Sequence, residues 1–305
     1  SFYRQNATRL APTKKGSARY QLRKERDAWV LELTSIKRPA EIGKAEWRGL
    51  VHLNLWRSSV GLAPLRHNAT LSEGCQKHAD YLQRNGNDAN EAGGNPMGVH
   101  GESADKPGYT KEGLDAAKHS NIVAVADPVQ AIDLQTPTML HRVLFLAPHD
   151  RGLGIGVAGN PDSKRAEGYA VIRTGAGLVS RVRDIVVVPA PGQRKVPILA
   201  KPEFPVPEKD PGCYQRKPGY PVSVTFGTLK LKQVSLKLFR GRDGKVPVSG
   251  FLFTPAQPVH SSLPNNNFSA FFLPKYPLRR GSTYLAVFEA RLKDKRVRLV
   301  WSFQT

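Results

Sequence analysis

Histidines and acids gather in one part of this chain. Between His100 and Gly156 lie His100, Glu102, Glu112, His119, Asp127, Asp133, His141 and His149, and five of the eight histidines fall between positions 78 and 149. Imidazole and carboxylate are ligand types that suit Zn²⁺ and similar ions, and two histidines with an acid can hold one while leaving a position open. The spacings His100 to Glu112 and Glu112 to His141, 12 and 29 residues, are no metal signature by themselves. A polar cluster whose members satisfy one another is the plain alternative. Hydrolysis needs an activated nucleophile or a metal-bound water. Ser103 lies near His100, but no G-x-S-x-G occurs and nothing marks a Ser-His-Asp set. His100-Gly101-Glu102 spells the H-x-E of zinc deaminases, whose P-C-x-x-C partner is absent.

The elements around these residues can be read from periodicity. Trp47, Leu50, Val51 and Leu55 follow helical spacing, as do Leu71, Cys75, His78, Ala79 and Leu82 behind a Thr70/Glu73 capping box. His78 on that stripe reads as a core histidine. Thr110 opens a short helix. Asp127-Pro128 and Thr136-Pro137 each place a cap before a proline suited to the first helical position, which predicts helices over PVQAIDLQ and PTMLHRVLFL. GLGIGVAG and EGYAVIRTG read as two strands joined by a Gly-Asn-Pro turn. Gly154, Gly156 and Gly159 match G-x-G-x-x-G by letter, yet Asn160-Pro161 follows where a dinucleotide loop needs a helix. The glycine alternation suits a closely packed strand instead.

Residues 1–39 form a basic N-terminal arm and a helix over ARYQLRKERDAWVLELTSIKR, 181–212 a Pro-rich linker or docking strand, and 213–305 a run of short strands that indicates a β-sandwich. NGNDANEAGG and PNNN read as a loop and a turn. The 305 residues carry a net charge of +21, divided as +7 over 1–38, −1 over 39–180 and +15 over 181–305. The histidine-rich middle is balanced, so a polyanion would meet the arms. Lys230, Lys232, Lys237, Arg240, Arg242, Arg279, Arg280, Arg296 and Arg298 are its candidate contacts. Such density suits acidic polymer, glycan or an anionic surface, and solubility is the alternative. No RNA-binding aromatic signature accompanies the charge, so nucleic acid is not expected as a specific partner. At 40% hydrophobic and 23% charged, the composition is that of a folded chain without an apolar run long enough to span a membrane. Cys75 and Cys213 form no disulfide framework and no CxxC pair; two free thiols are favoured over one long-range disulfide.

WRGLVHLNLWRSSVGLAPLRHNATLSEGCQKHADYL resembles the opening helices of the CAP superfamily of cysteine-rich secretory, antigen and pathogenesis-related proteins. His100, Glu112 in YTKEG, His141 in PTMLHRVLFLAP and the glycine-rich LGIGVAG follow the order of its motifs over roughly residues 45–175. The usual Gly-Glu-Asn is Lys-Glu-Gly here, and His-Tyr-Thr-Gln is Leu-His-Arg-Val. The resemblance implies an α-β-α sandwich over 40–180 with a cleft lined by His100, Glu112, Asp133 and His141. It also implies a divalent metal, Zn²⁺ first, held by His100, His141 and Glu112. LPKYPLRRGSTYLAVFEARLKDKRVRLVWSFQT is similar to the ending of a bacterial immunoglobulin-like domain. The expectation is an α+β protein: a CAP α-β-α sandwich followed by an all-β immunoglobulin-like sandwich. Its expected role is binding, in a secreted or cell-envelope protein of bacterial type. A metal-dependent hydrolase and a purely structural envelope protein are the alternatives.

Overall fold

The computed structural model describes residues 19–25, 28–35, 38–86, 98–160, 168–175, 185–227, 229–262 and 269–305. The basic arm 1–18, the loop 87–97, the turn after the glycine-rich strand and the PNNN turn lie outside them. The helix expected near residue 30 is instead an antiparallel hairpin of β1 (Arg19–Glu25) and β2 (Ala28–Ser35), with Leu22 opposite Leu31. Trp29, Leu31 and Leu33 also alternate at period two, and β-branched and aromatic residues favour that pattern.

The next elements build three layers. Helix α1 (Lys44–Ser59) is followed by β3 (Arg66–His67), α2 (Ala69–Asn85) and α3 (Lys111–His119). Then come β4 (Asn121–Val123), α4 (Pro128–Gln135), α5 (Leu140–Phe145), β5 (Gly152–Gly159) and β6 (Gly168–Gly175). The sheet runs β3-β5-β6-β4, with β3 parallel to β5 and the other pairs antiparallel. Helices α2 and α3 pack on one face, and α1, α4 and α5 on the other. Caps set the starts: Thr110 accepts from Gly113 N–H, and Asp127 accepts from Val129 N–H with Pro128 behind it. Asn68, not Thr70, caps α2, accepting the Leu71 N–H at 3.0 Å, and Glu73 turns to Lys77. Thr136 closes α4 rather than opening α5. In α1 the buried stripe is Leu50, Leu53 and Arg57, while Leu55 is exposed.

The glycines of β5 act by absence. A Cβ at Gly154 would lie 2.3 Å from the Leu71 carbonyl carbon, and one at Gly156 only 2.2 Å from that of Cys75. Helix α2 therefore lies directly against the strand, which only glycine permits there.

The rest of the chain forms two antiparallel four-stranded sheets. One runs β11 (Gly250–Phe253), β12 (Ser269–Pro274), β8 (Val222–Thr225) and β7 (Val186–Val188). The other runs β10 (Val246–Pro247), β9 (Leu231–Arg240), β13 (Thr283–Leu292) and β14 (Lys295–Gln304). The sheets meet through Val222, Val224, Phe272, Leu238, Phe288 and Trp301, in one hydrophobic cluster. In β13 burial alternates residue by residue, as expected for a strand with one wet face. Every residue of β8 and β12 is buried, because these two strands are covered on both faces. Phe271, Leu273 and Phe253 pack with Met139, Leu140 and Val143 at α5. The Pro-rich stretch runs along this body as a docking strand: β7 joins the sheet, Ala200 N–H bonds the Pro218 carbonyl at 2.9 Å, and Leu278 N–H bonds the Ile198 carbonyl at 2.9 Å.

Candidate functional site

Helix α5 has six residues, too few to be stable alone. Two buried charges brought from elsewhere hold it. At its start Glu203 accepts the N–H groups of Met139 and Leu140 at 2.7 and 2.8 Å. At its end Arg57 donates to the carbonyls of Phe145 and Ala147 at 2.8 and 3.0 Å. Negative charge at the N-terminus and positive charge at the C-terminus both match the helix dipole. Burial lowers the Arg57 pKa to about 10, which leaves it a cation at neutral pH. A third charge, Arg142, leaves the helix towards the β8 sheet. It donates to the carbonyls of Thr136 and Pro221 at 2.7 and 2.8 Å, and its guanidinium lies 4.7 Å from the centre of the Tyr220 ring.

Beside this helix opens a cleft of about 370 Å³. Val99 and His100 from the 3₁₀ turn Gly98–His100 form one part of its wall, and Ile122 and Val123 of β4 another. Leu134 and Gln135 of α4, then Thr138 and His141, continue it. Lys201, Pro202 and Phe204 close the wall from the Pro-rich stretch. His100 is half-buried, and this burial lowers its pKa; a charged His141 or His78 would lower it further. His100 Nδ1 lies 2.8 Å from the Ala117 carbonyl, and His141 Nδ1 lies 3.2 Å from Glu203 Oε2. In each ring Nδ1 is thus committed to an acceptor, and Nε2 has no hydrogen-bond partner among the described residues.

The other predicted site residues go elsewhere. Gly113, Ala116 and Ala117 form the buried face of α3, so Glu112 projects from a different side and meets Lys77 at 3.4 Å, well exposed. Asp133 faces α1, bonding His52 at 2.7 Å. Asp127 caps α4 and pairs with Arg48, and His119 pairs with Asp115 on the surface. Glu102 is fully buried on His78 Nδ1 at 2.8 Å, while His78 Nε2 donates to the Val99 carbonyl, which makes His78 the core histidine expected. The set His100, Glu112 and His141 therefore does not converge. No group of three or more His, Cys, Asp or Glu suited to a metal ion occurs among the described residues. A metal-binding imidazole uses one nitrogen while the other N–H is held by an acceptor. His100 and His141 meet that condition, while Glu112 lies on the surface beside Lys77.

Residues 50–172 match the family model of CAP, the cysteine-rich secretory protein family. The CAP segment spans the sheet, both helical layers, His100 and His141. It stops before Lys201, Pro202, Glu203 and Phe204, so part of the cleft wall comes from beyond it. No curated protein matches the chain. The residues missed in the sequence are Gln135, Thr138, Lys201 and Glu203. Only Glu203 had a local signal: it is a lone acid between Pro202 and Phe204-Pro205, in a stretch too constrained to be a free tether.

The nine candidate anion contacts are all exposed, and they divide. Lys230, Lys232, Arg296 and Arg298 cluster where β9 begins and β13 turns into β14; Arg240, Arg242, Arg279 and Arg280 lie at the opposite end of the same sheet. The ten residues of β9 separate the two ends by roughly 30 Å. Lys237 stands between them. Arg291 faces Lys232 on one side and Arg296 on the other, so three cations share one row across the strands. Arg296 and Arg298 share Glu289, whose pKa they lower. Cys75 and Cys213 are both free and buried. No helix of the described residues is long and apolar enough to cross a membrane.

Proposed function

We propose that this is a secreted or cell-envelope binding protein. Its CAP cleft takes an ion or small ligand through His100 and His141, and its basic β-sandwich, immunoglobulin-like in its closing strands, attaches to polyanionic surface material. The observation that carries the cleft reading is the shared arrangement of the two imidazoles. Each has Nδ1 tied to an acceptor, which leaves Nε2 as the nitrogen available to a ligand in a mostly apolar wall. Zn²⁺ is the natural first probe, with the two imidazoles as the ligands offered by the chain. Binding is favoured over hydrolysis because Glu112 and Asp133 lie elsewhere and both Glu203 oxygens already accept backbone N–H groups. That leaves no free carboxylate among the described lining residues to act as a general base.

Calorimetric titration of Zn²⁺ into the purified protein, and into His100→Ala and His141→Ala, tests the cleft. Stoichiometric binding lost in both variants supports the reading, whereas binding that survives both removes the cleft as its site. For attachment, the expected result is salt-dependent retention on a sulfated glycan. Retention should fall in a Lys230/Lys232/Arg291→Gln variant or in an Arg240/Arg279/Arg280→Gln variant. If neither triple changes the eluting salt, the sandwich is not the attachment module. Substitution is the right tool here because removing residues 195–305 would also remove Glu203 and part of the cleft wall.

A further inference from the structure

The acid that touches a cleft histidine comes from outside the CAP segment. Glu203 is 0% exposed and sits in the Pro-rich stretch, 62 residues beyond His141. Oε1 accepts the Met139 N–H at 2.7 Å and lies 3.4 Å from the Tyr214 hydroxyl. Oε2 accepts the Leu140 N–H at 2.8 Å and faces His141 Nδ1 at 3.2 Å. Both oxygens are therefore acceptors, and Nδ1 is the atom placed to donate. A ring that carries its hydrogen on Nδ1 presents a lone pair at Nε2. The carboxylate has a firm seat. Its backbone is fixed to the sandwich through Ala200 and Pro218, and α5 is fixed to the same sheet by Arg142 on Pro221.

We propose that Glu203 is a positioning residue, holding His141 as the Nδ1–H tautomer so that Nε2 serves the cleft. The β-sandwich then contributes to the binding site as well as to attachment. The proposal rests on the cleft reading above, but it predicts a property of the empty protein that can be measured without any ligand.

The test is the ¹⁵N chemical shifts of the His141 ring in the unliganded protein, with Zn²⁺ titration as a second readout. The expected result is protonated Nδ1 and unprotonated Nε2 in the neutral ring. In Glu203→Ala both acceptor oxygens are removed, so Nδ1–H loses its partner and the ring should shift towards the other tautomer. Zn²⁺ affinity should then fall by roughly 10–100-fold, the range seen when a partner of a metal-binding histidine is removed. Tyr214→Phe, which removes only the 3.4 Å hydroxyl contact on the same carboxylate, should leave the tautomer unchanged. An Nε2–H ring in the wild-type protein overturns the proposal, even if Glu203→Ala fails to fold. So does a folded Glu203→Ala protein with unaltered His141 shifts. If the Nδ1–H tautomer is found and depends on Glu203 while His141→Ala leaves Zn²⁺ binding intact, the positioning stands and the cleft reading falls.

Discussion

Removing Arg142 should loosen the joint between the CAP segment and the sandwich. Its side chain is fully buried and meets no carboxylate; two backbone carbonyls, the Ser223 hydroxyl and the face of Tyr220 receive it. Arg142→Met keeps most of the volume and loses the donors. Two buried carbonyls left unpaired cost about 1–3 kcal/mol each. Against this, a lone guanidinium no longer has to be taken out of water on folding, which recovers several kcal/mol. The two effects nearly offset, so the Met variant should lie within about 2 kcal/mol of wild type. Arg142→Ala relieves the same charge but adds a cavity, and large-to-small changes in a core cost about 2–5 kcal/mol. The Ala variant should therefore be less stable than the Met variant by about 2–5 kcal/mol. Urea unfolding followed by tryptophan fluorescence reads this, since Trp47 and Trp56 report on the helical layers and Trp301 on the sandwich. A Met variant as unstable as the Ala variant, or one more than about 2 kcal/mol from wild type, would refute the reasoning.

Three further outcomes follow from the packing and electrostatics. Gly156→Ala forces a Cβ to within 2.2 Å of the α2 backbone and should cost upwards of about 3 kcal/mol in the same unfolding assay; a loss under 1 kcal/mol would mean that the strand and helix separate easily. Burial holds the His100 pKa below its usual value, so the unfolded chain takes up its proton first as pH falls. The stability contributed by the neutral ring is complete above about pH 6.5 and is lost as pH falls through the folded pKa. In His100→Gln that part of the slope should vanish from urea midpoints measured between pH 7.5 and 5, and an unchanged slope would contradict it. Burial also pushes the Cys75 thiol up to about 12, so native protein should resist iodoacetamide at pH 8 and react once unfolded, by mass spectrometry; rapid native labelling of Cys75 would count against a closed core there.

Much of this molecule was legible in its residues. Helical periodicity located α1 and α2, threonine and aspartate caps marked the starts of α3 and α4, and alternating glycine in β5 announced a backbone contact rather than a nucleotide loop. His78 as a core residue followed from its place on the α2 stripe. These are local properties: a cap, a stripe and a missing Cβ act within one or two turns of chain. The hairpin of β1 and β2 was misread because its apolar residues fit both periods, and pairing between strands decides such cases.

The site divided along the same line. Residue type and order pointed to His100 and His141, because imidazoles are scarce and their spacing resembled a family motif. Which acid joins them depends on helix phase and on a distant segment. On α3 the buried face is Gly113, Ala116 and Ala117, which turns Glu112 outward. On α4 the direction of Asp133 is towards His52. Glu203 reaches His141 only because the Pro-rich stretch docks on the sandwich and the sandwich docks on α5. The sequence by itself determined most of the elements and singled out His100 and His141; only the tertiary structure decided the acid partner of His141, because a contact across 62 residues is set by packing between layers and leaves no periodic trace in the chain.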